Sequence, residues 1–221
     1  MKLFVFYLLV GAMFSVEACD GTSEEGNPSF SEDNPIRNLD ASQLKNLDTA
    51  TLAGGCFWCV EAAFEQINGV YEVVSGYSGG TQSNPTYSQV SRGATNHAEA
   101  VQVYYNAEKL SYNKILEIFF TAHDPTQLNR QGPDVGKQYR SAIYYHNEQQ
   151  RKLAEAMIAS MNSEEVFSKD IVTQLEPLNE FWIAEEYHQD YAERNPQDRY
   201  IQSVSIPKVN KVKKAFPDLI N

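Results

Sequence analysis

Cysteine is scarce in this chain. Three stand among 221 residues, at positions 19, 56 and 59, alongside four histidines. A structural zinc site needs four such ligands at suitable spacing, and the third cysteine lies in an N-terminal tail. A stapling disulfide is equally unsupported, because a pair three residues apart closes almost no loop and stabilises little. Basic charge is also short. Eighteen Lys and Arg stand against 29 Asp and Glu, a formal net charge of −11. That balance offers nothing to nucleic acid or to an anionic membrane surface, and it disfavours strongly acidic substrates. No repeat period is visible from Gln43 onward. What remains is a chain with 42% hydrophobic residues and 13 tyrosines, enough for one globular domain of ordinary size plus extensions.

The N-terminus reads as an export segment. Lys2 precedes an apolar run, Leu3 to Phe14, that is short for a membrane span. Val16-Glu17-Ala18-Cys19 follows and resembles the bacterial lipobox, in which the cysteine is acylated and becomes the mature N-terminus, although Glu17 is unusual there. Residues 1–18 are therefore expected to be a signal peptide. Residues 19–42 are rich in Ser, Glu, Asn, Gly and Pro and read as a disordered linker, lipid-tethered at Cys19. The expected location is the periplasm or cell envelope, with a soluble secreted protein as the alternative. The folded domain is placed at 43–221.

Gly54-Gly55-Cys56-Phe57-Trp58-Cys59 is the most informative run. It sits between a short apolar stretch at 50–53 and a helix-periodic stretch. Two glycines let the backbone turn, and a cysteine at a helix N-terminus meets unpaired N–H groups and the positive end of the helix dipole, both favouring thiolate. Cys56 thus reads as a nucleophile, Phe57 and Trp58 as an apolar wall, and Cys59 as a disulfide partner one helical turn on. Buried structural cysteines are the plainer alternative.

The coarse pattern is strand 50–53, helix 57–67, strand 70–76, a loop over 78–97, and strand 99–105. A helix runs to about 122, a loop covers 123–138, and strand 139–145, helix 147–161 and strand 171–176 follow. Residues 181–191 read as a helix or an ordered turn, and the C-terminal tail as irregular. This order suggests an α+β plait, with a central mixed sheet, helices packed on it and a ferredoxin-like βαββαβ core. The two long loops are unusual unless they line a site.

Four further segments carry chemistry. Asn96-His97-Ala98-Glu99 puts a carboxylate at the start of an apolar strand, either exposed at its end or buried and held protonated. Asp134 and Tyr139 lie five residues apart. Tyr87 sits in the Gly-rich loop. Ala184 to Tyr191 mixes charges with aromatics. Alone, each tyrosine reads first as a core residue, and His97 and His188 as structural histidines.

In order, Gly-Cys-Phe-Trp, His-Ala-Glu-Ala, Asp-Val-Gly-x-Gln-Tyr-Arg-Ser and Ala-Glu-x-Tyr-His-Gln resemble the peptide methionine sulfoxide reductase A family, from about Asn46 to Phe216. The resemblance implies Cys56 as nucleophile, Phe57 and Trp58 as the pocket for the substrate's S-methyl group, and Glu99 as the acid that protonates the sulfoxide oxygen. It implies Tyr87, Asp134 and Tyr139 as groups hydrogen-bonding that oxygen or a water. The implied substrates are oxidised methionine in proteins and peptides, and the free sulfoxide, as S epimers. Cys59 would resolve a sulfenic acid on Cys56, and a thioredoxin-like protein would reduce the disulfide. No cofactor or metal is expected. Two departures stand out: no cysteine follows Cys59, and Asn96 stands where the family usually has Gly. The competing readings are a general thiol–disulfide oxidoreductase, which gives Glu99, Asp134 and Tyr139 no work, and a non-enzymatic surface lipoprotein.

Overall fold

The computed structural model describes residues 47–221. The expected signal peptide, Cys19 and the linker to residue 42 lie outside the described residues.

Strand β1 (Leu47–Gly54) runs through the middle of a six-stranded sheet. Helix α1 (Phe57–Glu65) follows directly, then β2 (Val70–Ser78), a short helix α2 (Tyr87–Ser91) and β3 (Ala98–Asn106). β3 lies between β1 and β2 and is antiparallel to both. Helix α3 (Tyr112–Ala122) leads through a two-stranded ribbon, β4 (Arg130–Gln131) with β5 (Asp134–Val135), to β6 (Ser141–Tyr145) on the other side of β1. Helix α4 (Glu148–Ser163) returns the chain to β7 (Gln174–Pro177), which pairs parallel with β6. The β1-α1-β2-β3-α3-β6 portion is the expected split βαββαβ core. Beyond it lie β8 (Phe181–Ile183), α5 (Tyr191–Arg194) and α6 (Ile206–Ala215). The sheet order is β7-β6-β1-β3-β2-β8.

Period-two alternation sends Val101, Val103 and Tyr105 of β3 to the face covered by α1 and α3, where Phe64, Ile115 and Phe119 complete the main core. Ala98 and Ala100 face the other way, into a thinner cluster with Ala53, Ala142 and Tyr144. Glu99 shares the parity of Val101 and so points under α1. Ser111 and Asn147 cap α3 and α4: Ser111 Oγ accepts from Lys114 N at 3.2 Å and Asn147 Oδ1 from Gln150 N at 2.9 Å.

Three segments differ from the sequence reading. Residues 181–183 are an edge strand, pairing antiparallel with β2. Gly76 makes that approach possible, since a Cβ there would lie 2.4 Å from the Trp182 carbonyl oxygen. The tail is not irregular: a π-turn over Ile201–Ser205 runs into α6. Its Pro207 sits in the first turn, where a missing N–H costs nothing. Finally, the 78–97 loop holds α2 with a capping box between Thr86 and Gln89.

Candidate active site

β1 delivers the chain to Gly55, whose φ of +94° and close neighbour Gln131, 2.6 Å from an added Cβ, admit only glycine. Cys56 then occupies the N-cap of α1 and Cys59 its first turn. Both cysteines are reduced and buried, Cys56 6% exposed and Cys59 fully covered. Glu99, 1% exposed, reaches up from β3 and takes the first amide of the helix, Phe57 N–H to Oε2 at 3.2 Å. The open alternative for this residue resolves to burial.

That hydrogen bond changes the expected electrostatics of the nucleophile. The leading amide of α1 is spent on Glu99, and Cys56 makes no capping bond. Burial therefore dominates and pushes the Cys56 thiol well up, helped by the neighbouring Cys59 and Glu99. Cys59 is the thiol drawn down, to about 7. The hydrogen bond from Cys56 leads, and against burial Lys208, Tyr200 and Ser205 add to it. The surroundings thus favour charge on Cys59 over Cys56, the reverse of what a helix N-terminus alone favours. Glu99 is pushed up to about 8 by burial first, with Asp134 and Cys59 adding repulsion against the stabilising Phe57 N–H. At neutral pH it is a carboxylic acid with a proton to give.

The other expected residues gather here. Tyr87 opens α2, and its backbone N–H donates to Glu185 Oε1 at 2.8 Å while Tyr77 donates to Oε2 at 2.8 Å. Burial raises Tyr87 to about 12, with Glu99, Cys56 and Asp134 among the charges adding to the rise. Tyr139 ends a 3₁₀ turn at 137–139 and is raised by burial first and then by Glu99, Tyr87, Cys56 and Asp134. Both phenols thus stay protonated as hydrogen-bond donors near the two reacting groups. Phe57 is buried beneath the site, its ring 5.0 Å from His188 and 6.3 Å from Tyr87. Trp58 is half-exposed and stacked on Tyr191 at 3.8 Å. Of the two cysteine-flanking aromatics, Trp58 is the one a ligand can reach.

The histidines keep their structural reading. Burial lowers His188 to about 4, so its ring is neutral at pH 7, and Nδ1 accepts the Trp58 indole N–H at 3.2 Å. His97 ties Gly80 N and Gln82 O, bracing the loop that leads to Tyr87.

Two contributors were missed. Tyr200 lies at the start of the supposedly irregular tail, its hydroxyl donating to Asp134 Oδ2 at 2.6 Å and lying 3.9 Å from Cys59 Sγ. Lys208, on α6, has a buried Nζ with no hydrogen-bond partner among the described residues, and its charge acts on Cys59. The available signal was the spacing Ile201, Val204, Val209, Val212, Phe216, a helical period broken on paper by Pro207.

An acid that is neutral at pH 7, two adjacent thiols sharing one charge, phenol donors and an aromatic wall suit a reaction that protonates an oxygen while sulfur attacks. Comparison with known proteins agrees. A family model described as "Peptide methionine sulfoxide reductase" matches residues 48–219. A protein of Natronomonas pharaonis named peptide methionine sulfoxide reductase MsrA is 56% identical over 173 residues, covering 78% of this chain and 97% of its own. One of the same name from Saccharolobus solfataricus is 51% identical over 174 residues, covering 79% and 97%. Among solved structures, reduced Mxr1 of Saccharomyces cerevisiae superposes with a TM-score of 0.66 at 33% identity, over 72% of this chain and 90% of that one. Methionine sulfoxide reductase A of Corynebacterium diphtheriae gives 0.62 at 34% identity, over 69% and 77%.

Proposed function

This chain belongs to the peptide methionine sulfoxide reductase family, and from that premise we propose how its own residues reduce the sulfoxide. The substrate is methionine sulfoxide, in peptides and proteins and as the free amino acid, of the S epimer. Its S-methyl group packs against Trp58 and its oxygen faces Glu99, Tyr87 and Tyr139. Cys56 passes its proton to the neighbouring Cys59 thiolate and attacks the sulfoxide sulfur. Glu99 gives its proton to the oxygen. The protonated oxygen then moves from the substrate sulfur to Cys56: the substrate's sulfur–oxygen bond and the transient bond between the two sulfurs break as the Cys56 sulfur–oxygen bond forms, so methionine leaves and Cys56 is left as a sulfenic acid. Cys59 then forms the S–S bond, and the sulfenic oxygen departs as water. A thioredoxin-like dithiol supplies the two electrons that return both thiols.

The observation that carries this reading is Glu99: a carboxyl 1% exposed, pushed up to about 8 by burial, hydrogen-bonded to the residue after Cys56. Thiol–disulfide exchange makes and breaks only sulfur bonds and has no oxygen to protonate. The test is single-turnover reduction of S- and R-methionine sulfoxide peptides by the reduced chain, with methionine quantified and cysteine oxidation mapped. Methionine from the S epimer alone, with Cys56 oxidised, supports the proposal. None from either epimer, with insulin disulfides reduced instead, replaces it with thiol–disulfide exchange.

The segment before the domain belongs to the same proposal. Export, cleavage before Cys19 and acylation there would tether the reductase in the cell envelope. Fatty-acid labelling that vanishes in C19A, with the protein released from membranes, is the expected result; unlabelled, soluble wild type is the contrary one.

A further inference from the structure

Away from the thiols, α1 turns a second set of carboxylates toward a cavity. Glu61 and Glu65 lie one turn apart on the helix, and Asp190 caps α5 in a left-handed conformation with φ of 50°. One oxygen from each of the three lies within 4.8 Å of the others. A cavity of about 510 Å³ opens beside them, its wall carrying Glu65, Asp190, Glu72 and Glu193 with Tyr71 and Ile206. No lysine, arginine or histidine is among the residues lining it. Arg194, the nearest basic residue in sequence, spends its guanidinium on the carbonyls of Glu186 and Gln189.

A separate observation says that a positive group belongs here. Glu61 is 1% exposed. Its Oε1 accepts the Ser75 hydroxyl at 2.9 Å, whereas its Oε2 is buried with no hydrogen-bond partner among the described residues. A buried carboxylate oxygen without a donor is costly. A cation satisfies all three carboxylates together. Hard divalent ions prefer oxygen ligands, and Ca²⁺ takes them at roughly 2.4 Å, so ligand oxygens up to about 4.8 Å apart can share it without being drawn together. The cavity leaves room for the waters that complete its shell.

We propose that Glu61, Glu65 and Asp190 form a structural site for a hard divalent cation, Ca²⁺ in the first place, which fastens α1 to the segment bearing Tyr191. The cation has no part in the sulfur chemistry. Asp190 immediately precedes Tyr191, which stacks on Trp58. Trp58 in turn lies one turn before Glu61 on the same helix. Binding therefore stiffens the aromatic wall from behind.

The test is titration of the full chain with Tb³⁺, exciting the tryptophans and tyrosines and reading sensitised emission. Saturable emission at one ion per chain is expected, displaced by millimolar Ca²⁺, with affinity weakened by about tenfold or more in both E61Q and D190N. Ca²⁺ should also raise the thermal midpoint of wild type and leave that of the variants unmoved. D190N retains a residue that tolerates the left-handed backbone, so its loss of binding with an unchanged circular dichroism spectrum separates ligation from misfolding. Emission that does not saturate, that Ca²⁺ fails to displace, or that both variants reproduce at wild-type affinity overturns the proposal.

Discussion

Replacing Glu99 by Gln separates the acid from the shape of the site. The amide has the same size and keeps an oxygen able to accept the Phe57 N–H, now 3.2 Å from Oε2. What it lacks is the proton. With Glu99 pushed up to about 8 by burial, roughly ten acids in eleven are neutral at pH 7 and roughly one in eleven at pH 9. Proton donation in a transition state contributes about 10²–10⁴-fold, or about 2.7–5.4 kcal/mol at about 1.36 kcal/mol per decade. Rapid-quench measurement of methionine release in one turnover should show E99Q slower by that factor at pH 7. The gap should narrow by about tenfold per pH unit above 8, because wild type loses its acid while the variant has none to lose. Since the Glu99 charge helps raise the Cys56 thiol, iodoacetamide should alkylate Cys56 faster in E99Q at alkaline pH. An E99Q rate within about threefold of wild type at pH 7, far short of the expected acid contribution, or parallel pH profiles for the two proteins, would refute the assignment of Glu99 as proton donor.

Four other substitutions probe the neighbours. C59S removes the base that takes the Cys56 proton as well as the resolving thiol, so it should release one equivalent of methionine more slowly than wild type and then stall, its steady-state turnover with thioredoxin falling sharply; undiminished turnover would remove Cys59 as resolver. Y200F loses the hydroxyl bonded to Asp134 at 2.6 Å, and should cost about 1 kcal/mol of stability and slow disulfide formation, read by denaturant unfolding and by thiol titration after one turnover. K208M removes the ammonium that helps draw Cys59 down to about 7. Even a rise to about 8 cuts its thiolate fraction at pH 7 from about half to about a tenth, so methionine release, which needs that thiolate to take the Cys56 proton, and disulfide formation should both slow several-fold. G76A places a Cβ 2.4 Å from the Trp182 carbonyl oxygen; it should cost about 1–3 kcal/mol and speed amide exchange along β8, and an unchanged melting temperature would count against the close approach described there.

The core βαββαβ order was legible because its elements are separated by strong punctuation: Gly54-Gly55, Asn68-Gly69, and the caps at Ser111 and Asn147. The first half of the site was legible for a related reason, since Cys56, Phe57, Trp58 and Cys59 lie on one helical turn and their neighbourhood is set by local geometry. Glu99 needed strand parity to place it under α1, which the alternation of Val101 and Val103 supplies. What could not be read was anything that depends on the tail folding back. Pro207 looks like a breaker until it is known to stand in a first turn, and Lys208 looks like a solvated charge until α6 packs on α1. The same limit hides the surroundings of Cys56: the helix N-terminus is visible in the sequence, but its first amide is claimed by a side chain 42 residues away.

The unequal covering of the two cysteines also bears on how the proposed disulfide is reopened. Cys59 is fully enclosed, while Cys56 keeps 6% of its surface open. With Cys59 enclosed, Cys56 is the side of the proposed disulfide at which the dithiol of another protein is expected to attack, the transient covalent complex forming there and Cys59 being expelled. A thiol drawn down to about 7 departs more readily than an ordinary one. Lys208, Tyr200 and Ser205 thus act twice on the same atom: they arm Cys59 for closing the disulfide, and they make it the better leaving group when the disulfide is opened.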